Sequence, residues 1–336
     1  MTTAPPAAPT ATAWRHRHLL DVDALSSSEI GLVLTGALRM ADVARGDRDR
    51  PGTLRGIGLT TLFYEASTRT RVSFEVAGRL LGADVVTVAA SASSVTKGES
   101  LLDTMRTLEA RGARILVMRH ATSGAPYLVA RQFGGSVVNA GDGRHGHPTQ
   151  ALLDLYTLWR RLAPDADPAS AFLAGRKVVI LGDVLHSRVA HSNLWTLTAA
   201  GAEVWVCGPS TLLDGFEAWA GAGVGGTRPF RVTTDLHAAL QDADAVMALR
   251  LQRERMTAGL LPSLGEYAAR YGLTAERLAA ARPGALVLHP GPMNEGLEIA
   301  PEVASGPQSL VTEQVANGVA VRMAVLTLLN EARTAR

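Results

Sequence analysis

The sequence predicts an α/β protein made of two doubly wound, parallel-sheet domains that are joined by bridging helices. Three observations lead to this prediction. Apolar runs typical of buried strands alternate with segments of helical periodicity, as in parallel sheets covered by helices on both faces. This alternation occurs twice, and residues 163–171, which are rich in proline, alanine and aspartate, separate the two series. The chain of 336 residues is also long enough for two domains of about 150 residues each.

The first series follows a short N-terminal tail. Residues 1–13 lack a basic stretch followed by an apolar core, so we expect a flexible tail and not a signal peptide. A helix is predicted over 23–45, where the N-cap candidates are Ser26, Ser27 and Ser28. Strands are then expected at 57–64, 84–89, 115–119 and 137–140, with helices at 68–81, 101–111 and 127–133. The glycine-rich segment 139–147 predicts a loop.

A helix is predicted over 148–162, before the linker, and the second series after the linker ends with a long, strongly periodic helix over 312–333. Between them we expect strands at 177–184, 203–207, 245–249 and 285–289, with helices at 187–200 and 235–241. The two long helices are expected to bridge the domains. The predicted division is a tail at 1–13, a first domain of 14–149 plus 308–336, and a second domain of 150–307.

Composition excludes several classes of function. The formal net charge of +2 favours neither nucleic acid nor a membrane as a partner, and no apolar run reaches the roughly 18 residues of a membrane span. The single cysteine, Cys207, rules out an internal disulfide and indicates a cytoplasmic protein in which this residue is a small core side chain. Only Gly182 of a dinucleotide-binding turn is present, and His145 with His147 lacks acidic or cysteine partners in series. We therefore expect no cofactor and no metal.

A polar pentapeptide stands where the first predicted strand gives way to a helix. Ser67, Thr68 and Thr70 supply hydroxyl donors, and Arg69 supplies a planar fork that can hold phosphate through two parallel bonds. Backbone N–H groups at a helix start also favour an anion. The pentapeptide, which ends at Arg71, therefore predicts a phosphate site, although on this pattern alone a capped helix with two exposed arginines remains an alternative.

Further polar residues lie at the ends of other predicted elements. Arg119 closes a strand at the carboxyl edge of the first sheet, where open α/β sheets bind their ligands. His147 and Gln150 lie on one face at a helix N-terminus. Lys97 stands in the polar loop 93–99. A solvated loop lysine and a hydrogen-bonded structural histidine remain the alternatives for two of these positions.

Seven motifs in a fixed order make the sequence similar to a known enzyme family. They are FYEASTRTRVSFE, SSVTKGES, MRH, HPTQALLD, RVAHSN, LRLQRER and HPGP. Together they resemble the catalytic chains of the aspartate carbamoyltransferases, within the aspartate/ornithine carbamoyltransferase superfamily, from about residue 14 to about residue 330. The resemblance implies a transferase that moves the carbamoyl group of carbamoyl phosphate to the amine of L-aspartate. The products would be N-carbamoyl-L-aspartate and phosphate, in an early committed step of pyrimidine biosynthesis.

The resemblance also implies the roles of individual residues. Carbamoyl phosphate binding is implied for Ser67, Thr68, Arg69, Thr70, Ser93, Lys97, Arg119, His147, Gln150, Gly291 and Pro292. L-Aspartate binding is implied for Lys97, Arg188, Arg250 and Gln252, and catalysis for Thr70, Lys97, Arg119 and His147. The physical chemistry agrees, because two guanidinium forks suit a dicarboxylate. Glu254 and Arg255 are expected to hold their loop by ion pairing.

The loop that carries Ser93 and Lys97 resembles one that reaches into the neighbouring subunit's site. The resemblance therefore implies a homotrimer with active sites shared between subunits. Regulatory chains or a dihydroorotase are left open as further partners. The alternative functions are an ornithine carbamoyltransferase, which would carry HCLP where this chain has HPGP at 289–292, and an inactive structural homologue. Glu295 stands where many relatives have arginine, which concerns local loop pairing more than substrate binding.

Overall fold

The structure of the protein is a computed structural model that describes residues 14–89, 99–222, 230–256 and 259–335. The predicted tail at 1–13 and the loop residues Ser93 and Lys97 lie outside the described residues. Within them the chain forms two sheets whose strands all pair in parallel, with helices between successive strands. The predicted fold class of two parallel-sheet α/β domains is therefore confirmed.

The first sheet, in the part of the chain that is described, contains β1 (Gly58–Phe63), β2 (Asp84–Ala89), β3 (Ala113–His120) and β4 (Ser136–Asp142), in the order β2-β1-β3-β4. The helices of this half are α1 (Ser27–Arg45), α2 (Thr68–Leu80), α3 (Leu101–Ala110) and α4 (Ala125–Ala130), and α5 (Pro148–Leu162) leads to the second sheet. α1 begins at a capping box of Ser26 with Glu29 and ends at Gly46, whose φ of 86° suits glycine. The helix therefore starts at Ser27 and not at the predicted residue 23, because its N-cap is Ser26.

The second sheet contains β5 (Lys177–Leu181), β6 (Glu203–Cys207), β7 (Arg231–Thr233), β8 (Ala245–Ala248) and β9 (Leu286–Leu288), in the order β7-β6-β5-β8-β9. Its helices are α6 (Arg188–Ala199), α7 (Phe216–Ala222), α8 (Leu236–Leu240), α9 (Leu264–Tyr271), α10 (Ala275–Leu278) and α11 (Pro301–Ala304), and the long α12 (Val311–Thr334) follows. The inner strands β5 and β8 are buried apolar runs, as strands covered on both faces require.

Helices α5 and α12 join the two halves. α12 packs against α1, α2 and α5, while α5 also packs against α6 beside the second sheet. Leu155 of α5, Leu194 of α6 and Leu326 of α12 are fully buried in one apolar cluster. Each such side chain contributes roughly 1.5–3 kcal/mol when it is buried, so these helices hold the two sheets together. We therefore propose the division into residues 14–149 with 308–336 and residues 150–307.

Two of the differences between the observed and the predicted strand ends have a clear structural cause. β4 continues to Asp142, so the first part of segment 139–147 is strand and not loop. Asn139 pairs in register with Met118, and its side-chain amide donates to the Leu20 carbonyl at 2.9 Å, which satisfies a polar residue inside the sheet. β5 ends at Leu181 rather than at residue 184, because Gly182 turns the chain with a φ of 120°.

The short helices and strands were not all predicted as they are observed. α4, with Pro126 in its first turn, begins before the predicted residue 127. β7, α7, α9, α10 and α11 were missed. β7 is a three-residue edge strand, and helices of four to eight residues show too few turns for a clear apolar period.

Candidate active site

A cavity of about 510 Å³ opens between the carboxyl edges of the two sheets. Its walls come from the segment between β1 and α2, the end of β3, the starts of α5, α6 and α12, and the loops after β8 and β9. The structure brings together the predicted site residues that it describes, namely Ser67, Thr68, Arg69, Thr70, Arg119, His147, Gln150, Arg188, Arg250, Gln252, Gly291 and Pro292. Ser93 and Lys97 lie outside the described residues.

The segment before α2 is shaped to receive an anion. Ser67 occupies the N-cap with extended backbone, yet its side chain makes no capping bond to the described residues of the helix. The Ser67 hydroxyl and the first N–H groups of α2 therefore remain available to a ligand at the positive end of the helix. This arrangement disfavours the alternative of a simple side-chain-capped helix.

Arg69 forms one wall of the cavity together with Gly291 of the other half. A Cβ atom on Gly291 would lie 2.9 Å from Cζ of Arg69, and the φ of Gly291 is 63°. The backbone conformation therefore favours glycine at 291, and a larger residue there would push the Arg69 guanidinium aside. The two residues, which are far apart in sequence, belong to a single surface.

A carboxylate that the sequence reasoning did not single out lies among the arginines. Glu65 accepts two hydrogen bonds from Arg188, at 2.9 and 3.0 Å, and one from Arg255 at 2.7 Å. Arg119 contacts the same carboxylate at 3.4 Å. Burial alone would raise the pKa of Glu65, but the bonds and charge of Arg188, with the charges of Arg119 and Arg255, lower it to about 2. Glu65 is therefore ionised at any working pH and balances part of this cationic cluster.

Arg119 and His147 both have a pKa below the ordinary value for their residue type. Burial, followed by repulsion from Arg188, lowers the pKa of Arg119 to about 9, so the side chain is still a cation near neutral pH. Burial, followed by the charges of Arg119 and Arg188, holds the pKa of His147 well below its usual range. Nδ1 of His147 is buried and has no hydrogen-bond partner among the described residues. The cavity is therefore lined by the charged guanidinium of Arg119 and by the neutral imidazole of His147.

The loop after β8 is held by ion pairs, as expected. Arg250 contacts Glu254 at 2.6 Å, whereas Arg255 reaches across to Glu65 of the first half. The backbone N–H of Gln252 donates to Asp183 at 2.9 Å, and Asp183 in turn pairs with His186 at 2.8 Å. These bonds tie the loop to the end of β5.

Four residues of the site were missed from the sequence. Glu65 stands two positions before the STRTR segment, and an acidic residue beside a basic loop was a signal that could have found it. Arg322 is a charged residue in a largely apolar stretch of α12; it is 3% exposed and donates to Ser73 Oγ at 2.9 Å. Burial lowers its pKa to about 10. Gln314 gave no such signal, because its partners Asp154 and His289 are distant in sequence. The contact of Asp183 with the Gln252 backbone is also distant in sequence.

The described residues give no support to other kinds of site. Within them, no group of three or more His, Cys, Asp or Glu side chains could hold a metal ion. No helix of the described part of the chain is long and apolar enough to cross a membrane. Cys207 is buried in β6, and burial raises the pKa of its thiol to about 12, which leaves it unreactive.

Comparisons with known proteins agree with this geometry. The family model described as aspartate/ornithine carbamoyltransferase, carbamoyl-P binding domain, matches residues 17–160, and the corresponding Asp/Orn binding domain matches residues 174–329. The chain is 55% identical to the aspartate carbamoyltransferase catalytic subunit of Roseiflexus sp. (strain RS-1), over 94% of this chain and 96% of the relative.

Solved structures show the same relationship. Aspartate transcarbamoylase from Trypanosoma cruzi, in complex with carbamoyl phosphate and aspartate, superposes with a TM-score of 0.79 at 28% identity, over 94% of this chain and 95% of that chain. Ornithine carbamoyltransferase from Pyrococcus furiosus gives a TM-score of 0.78 at 27% identity, over 95% and 98%. The two matched domain models cover most of the chain, and this protein therefore belongs to the aspartate/ornithine carbamoyltransferase family.

Proposed function

We propose that the chain transfers the carbamoyl group of carbamoyl phosphate to the α-amine of L-aspartate, giving N-carbamoyl-L-aspartate and phosphate. The observation that carries this proposal is that arginines from both halves of the protein line one cavity. Arg69 and Arg119 come from the first half, and Arg188 and Arg250 come from the second. The Roseiflexus relative named as an aspartate carbamoyltransferase catalytic subunit supports it. So does the Trypanosoma cruzi complex with both substrates.

Carbamoyl phosphate belongs to the first half of the cavity in this proposal. Its phosphate meets Arg69, the Ser67 and Thr68 hydroxyls and the first N–H groups of α2, which together suit a dianion. Its carbonyl oxygen is held by donors from Thr70, Arg119 and His147. Its amino group requires acceptors, for which we propose Gln150 and the backbone of the segment that contains Gly291 and Pro292.

L-Aspartate belongs to the second half. Arg188 and Arg250 offer one guanidinium fork to each carboxylate, and Gln252 lies beside Arg250 at 3.4 Å. A cationic side chain such as that of ornithine would face the Arg250 guanidinium instead of a counter-charge. The same cavity therefore disfavours ornithine by electrostatic repulsion, although the family includes enzymes that use it.

The proposed chemistry is addition of the aspartate amine to the carbonyl carbon of carbamoyl phosphate. The C–N bond forms, and negative charge develops on the former carbonyl oxygen, where the Arg119 guanidinium and the His147 imidazole act as preorganised donors. The C–O bond to phosphate then breaks. The departing phosphate takes the amine proton, so no protein base is needed. Holding two anionic substrates in line supplies much of the rate enhancement.

Lys97 completes the site in our proposal, from the loop of a neighbouring subunit in a cytoplasmic homotrimer. Its ammonium group would add charge against the leaving phosphate and the aspartate carboxylate. Glu65 helps to close the two halves around the substrates, because its partners Arg188 and Arg255 both belong to the second half.

The test is a product assay with the purified chain, carbamoyl phosphate and either L-aspartate or L-ornithine. We expect carbamoyl aspartate to form with L-aspartate and citrulline formation from L-ornithine to be at background. Citrulline as the main product would reject the choice of acceptor. The absence of both products would indicate an inactive homologue.

A further inference from the structure

A buried carboxylate below the cavity connects three helices. Asp154 lies on α5 one turn after Gln150, and it is 0% exposed. Its Oδ1 accepts a hydrogen bond from the Gln150 side-chain amide at 2.9 Å and another from Gln314 of α12 at 2.7 Å. Its Oδ2 accepts one from Asn193 of α6 at 2.9 Å. The amide groups of both halves of the protein therefore meet at one acceptor.

The carboxylate determines which way the Gln150 amide faces. An ionised carboxylate can only accept hydrogen bonds, so the NH2 end of the planar amide must point toward Asp154. The carbonyl oxygen of Gln150 then points away from Asp154, and this side chain lines the cavity. Gln150 can therefore offer its carbonyl oxygen as an acceptor to a ligand in this cavity.

The amide of Gln314 is oriented by Asp154 in the same way, and it also holds the segment after β9. Gln314 also gives its NH2 group to Asp154, and its carbonyl oxygen accepts from the backbone N–H of His289 at 3.0 Å. His289 Nδ1 in turn accepts from the N–H of Gly291 at 2.8 Å. Pro290 and Pro292 have no N–H. Segment 290–292 therefore has no free backbone N–H for a ligand and can offer only carbonyl oxygens, and Gln314 ties its start to Asp154.

We propose that Asp154 is a positioning residue that makes the cavity select the amino group of carbamoyl phosphate, by turning Gln150 and the 290–292 segment into hydrogen-bond acceptors. The inference rests on the proposed function and deepens it, because it names the residue that distinguishes an N–H donor from a methyl group of the same size. A site built of acceptors leaves them unpaired when a methyl group takes the donor's place.

The charge state of Asp154 agrees with this role. Burial raises its pKa to about 6, against the opposing effects of Asn193, Gln314 and Gln150 and the charge of Arg322. The side chain is therefore an acceptor-only carboxylate at neutral pH.

The test is the substitution Asp154→Leu in the full-length protein. Both glutamine amides donate to Oδ1, and leucine keeps the branched shape of the side chain without offering any acceptor. Neither glutamine amide then keeps the bond that fixes its orientation. Dissociation constants would be measured by calorimetry for carbamoyl phosphate, for acetyl phosphate, which carries a methyl group in place of the amine, and for inorganic phosphate. We expect the preference for carbamoyl over acetyl phosphate to fall about tenfold or more, with phosphate binding within about twofold of wild type. An unchanged preference would overturn the proposal.

A matched control separates positioning from general stability. Asp244 is another buried carboxylate, 4% exposed, which accepts from Arg176, Arg282 and the Lys177 backbone just before β8, at the opposite edge of the second sheet. Asp244→Asn should lower the melting temperature and leave the preference for carbamoyl phosphate intact. An equal loss of preference in this control would also overturn the proposal.

Gln150→Met covers the case in which Asp154→Leu does not fold. It removes the acceptor and keeps the volume, so it must reduce the same preference if Asp154 acts through Gln150. An unchanged preference in a folded Gln150→Met protein overturns the proposal. Failure of the proposed function is distinguishable, because the wild-type chain would then form no carbamoyl aspartate.

Discussion

The carboxylate of Glu65 and the guanidinium of Arg188 form a two-pronged ion pair, with N–O distances of 2.9 and 3.0 Å. Glu65 follows β1 of the first half, and Arg188 is the first residue of α6 in the second half. Arg188 is 5% exposed, and it also donates to the Gly143 carbonyl at 3.1 Å. Glu65 therefore holds a proposed aspartate-binding arginine in place and at the same time links the two walls of the cavity.

The substitution Glu65→Gln should impair catalysis without unfolding the protein. The amide leaves Arg119, Arg188 and Arg255 without their shared counter-charge, so their orientation and the closure of the two halves both suffer. We expect kcat/KM for aspartate to fall by about tenfold or more. Steady-state kinetics with varied aspartate would measure this change.

The control for this substitution is an exposed ion pair outside the cavity. Glu266 pairs with Arg270 along α9, and such surface pairs contribute little. Glu266→Gln should keep wild-type kinetics. If Glu65→Gln behaved in the same way, the linking role of Glu65 would be wrong.

Arg250→Ala should affect the two substrates unequally. Arg250 belongs to the second half and pairs with Glu254, whereas the anion site at Arg69 belongs to the first half. We expect the KM for aspartate to rise about 100-fold, because loss of a bidentate contact to a carboxylate is worth several kcal/mol. The KM for carbamoyl phosphate should change less than about threefold. Comparable increases in both KM values would contradict the assignment of Arg250 to aspartate.

Much of this site could be predicted from sequence. The STRTR segment predicted an anion site because a strand, a helix start and a basic residue are all local features. Contacts between residues that are distant in sequence could not be predicted, as Gly141 illustrates. A Cβ atom there would lie 2.8 Å from Nε of Arg188, and the two residues become neighbours only in the folded chain. The partners of Glu65 and Asp154 come from elements more than 100 residues away in several cases, so neither role follows from spacing.

The shared active site can be tested with two inactive variants. Arg119→Ala should lower kcat by about 100-fold or more, because it removes a cation from the developing negative charge. Lys97→Ala should also be inactive. When the two proteins are dissociated, mixed and reassembled, some subunit pairs combine an intact Lys97 from one chain with an intact Arg119 from the other. Activity should then reappear in the mixture and not in either parent treated alone. A mixture that stays inactive, although hybrids are present by mass spectrometry, would contradict a site built from two subunits.

The Glu65 cluster should also make stability depend on pH in a defined direction. The pKa of Glu65 is about 2 in the folded protein, below its ordinary value of 4.5. The folded state therefore favours the carboxylate, whose contribution is complete above about pH 4.5 and is lost as the pH falls toward 2. Glutamine at this position cannot titrate. The melting temperature of wild type minus that of Glu65→Gln should consequently be largest near pH 6 and shrink toward pH 3, with a smaller effect in high salt. Glu266→Gln should follow the wild-type profile throughout. A difference between wild type and Glu65→Gln that stays constant from pH 6 to pH 3 would show that the three arginines do not stabilise the ionised carboxylate in the folded protein.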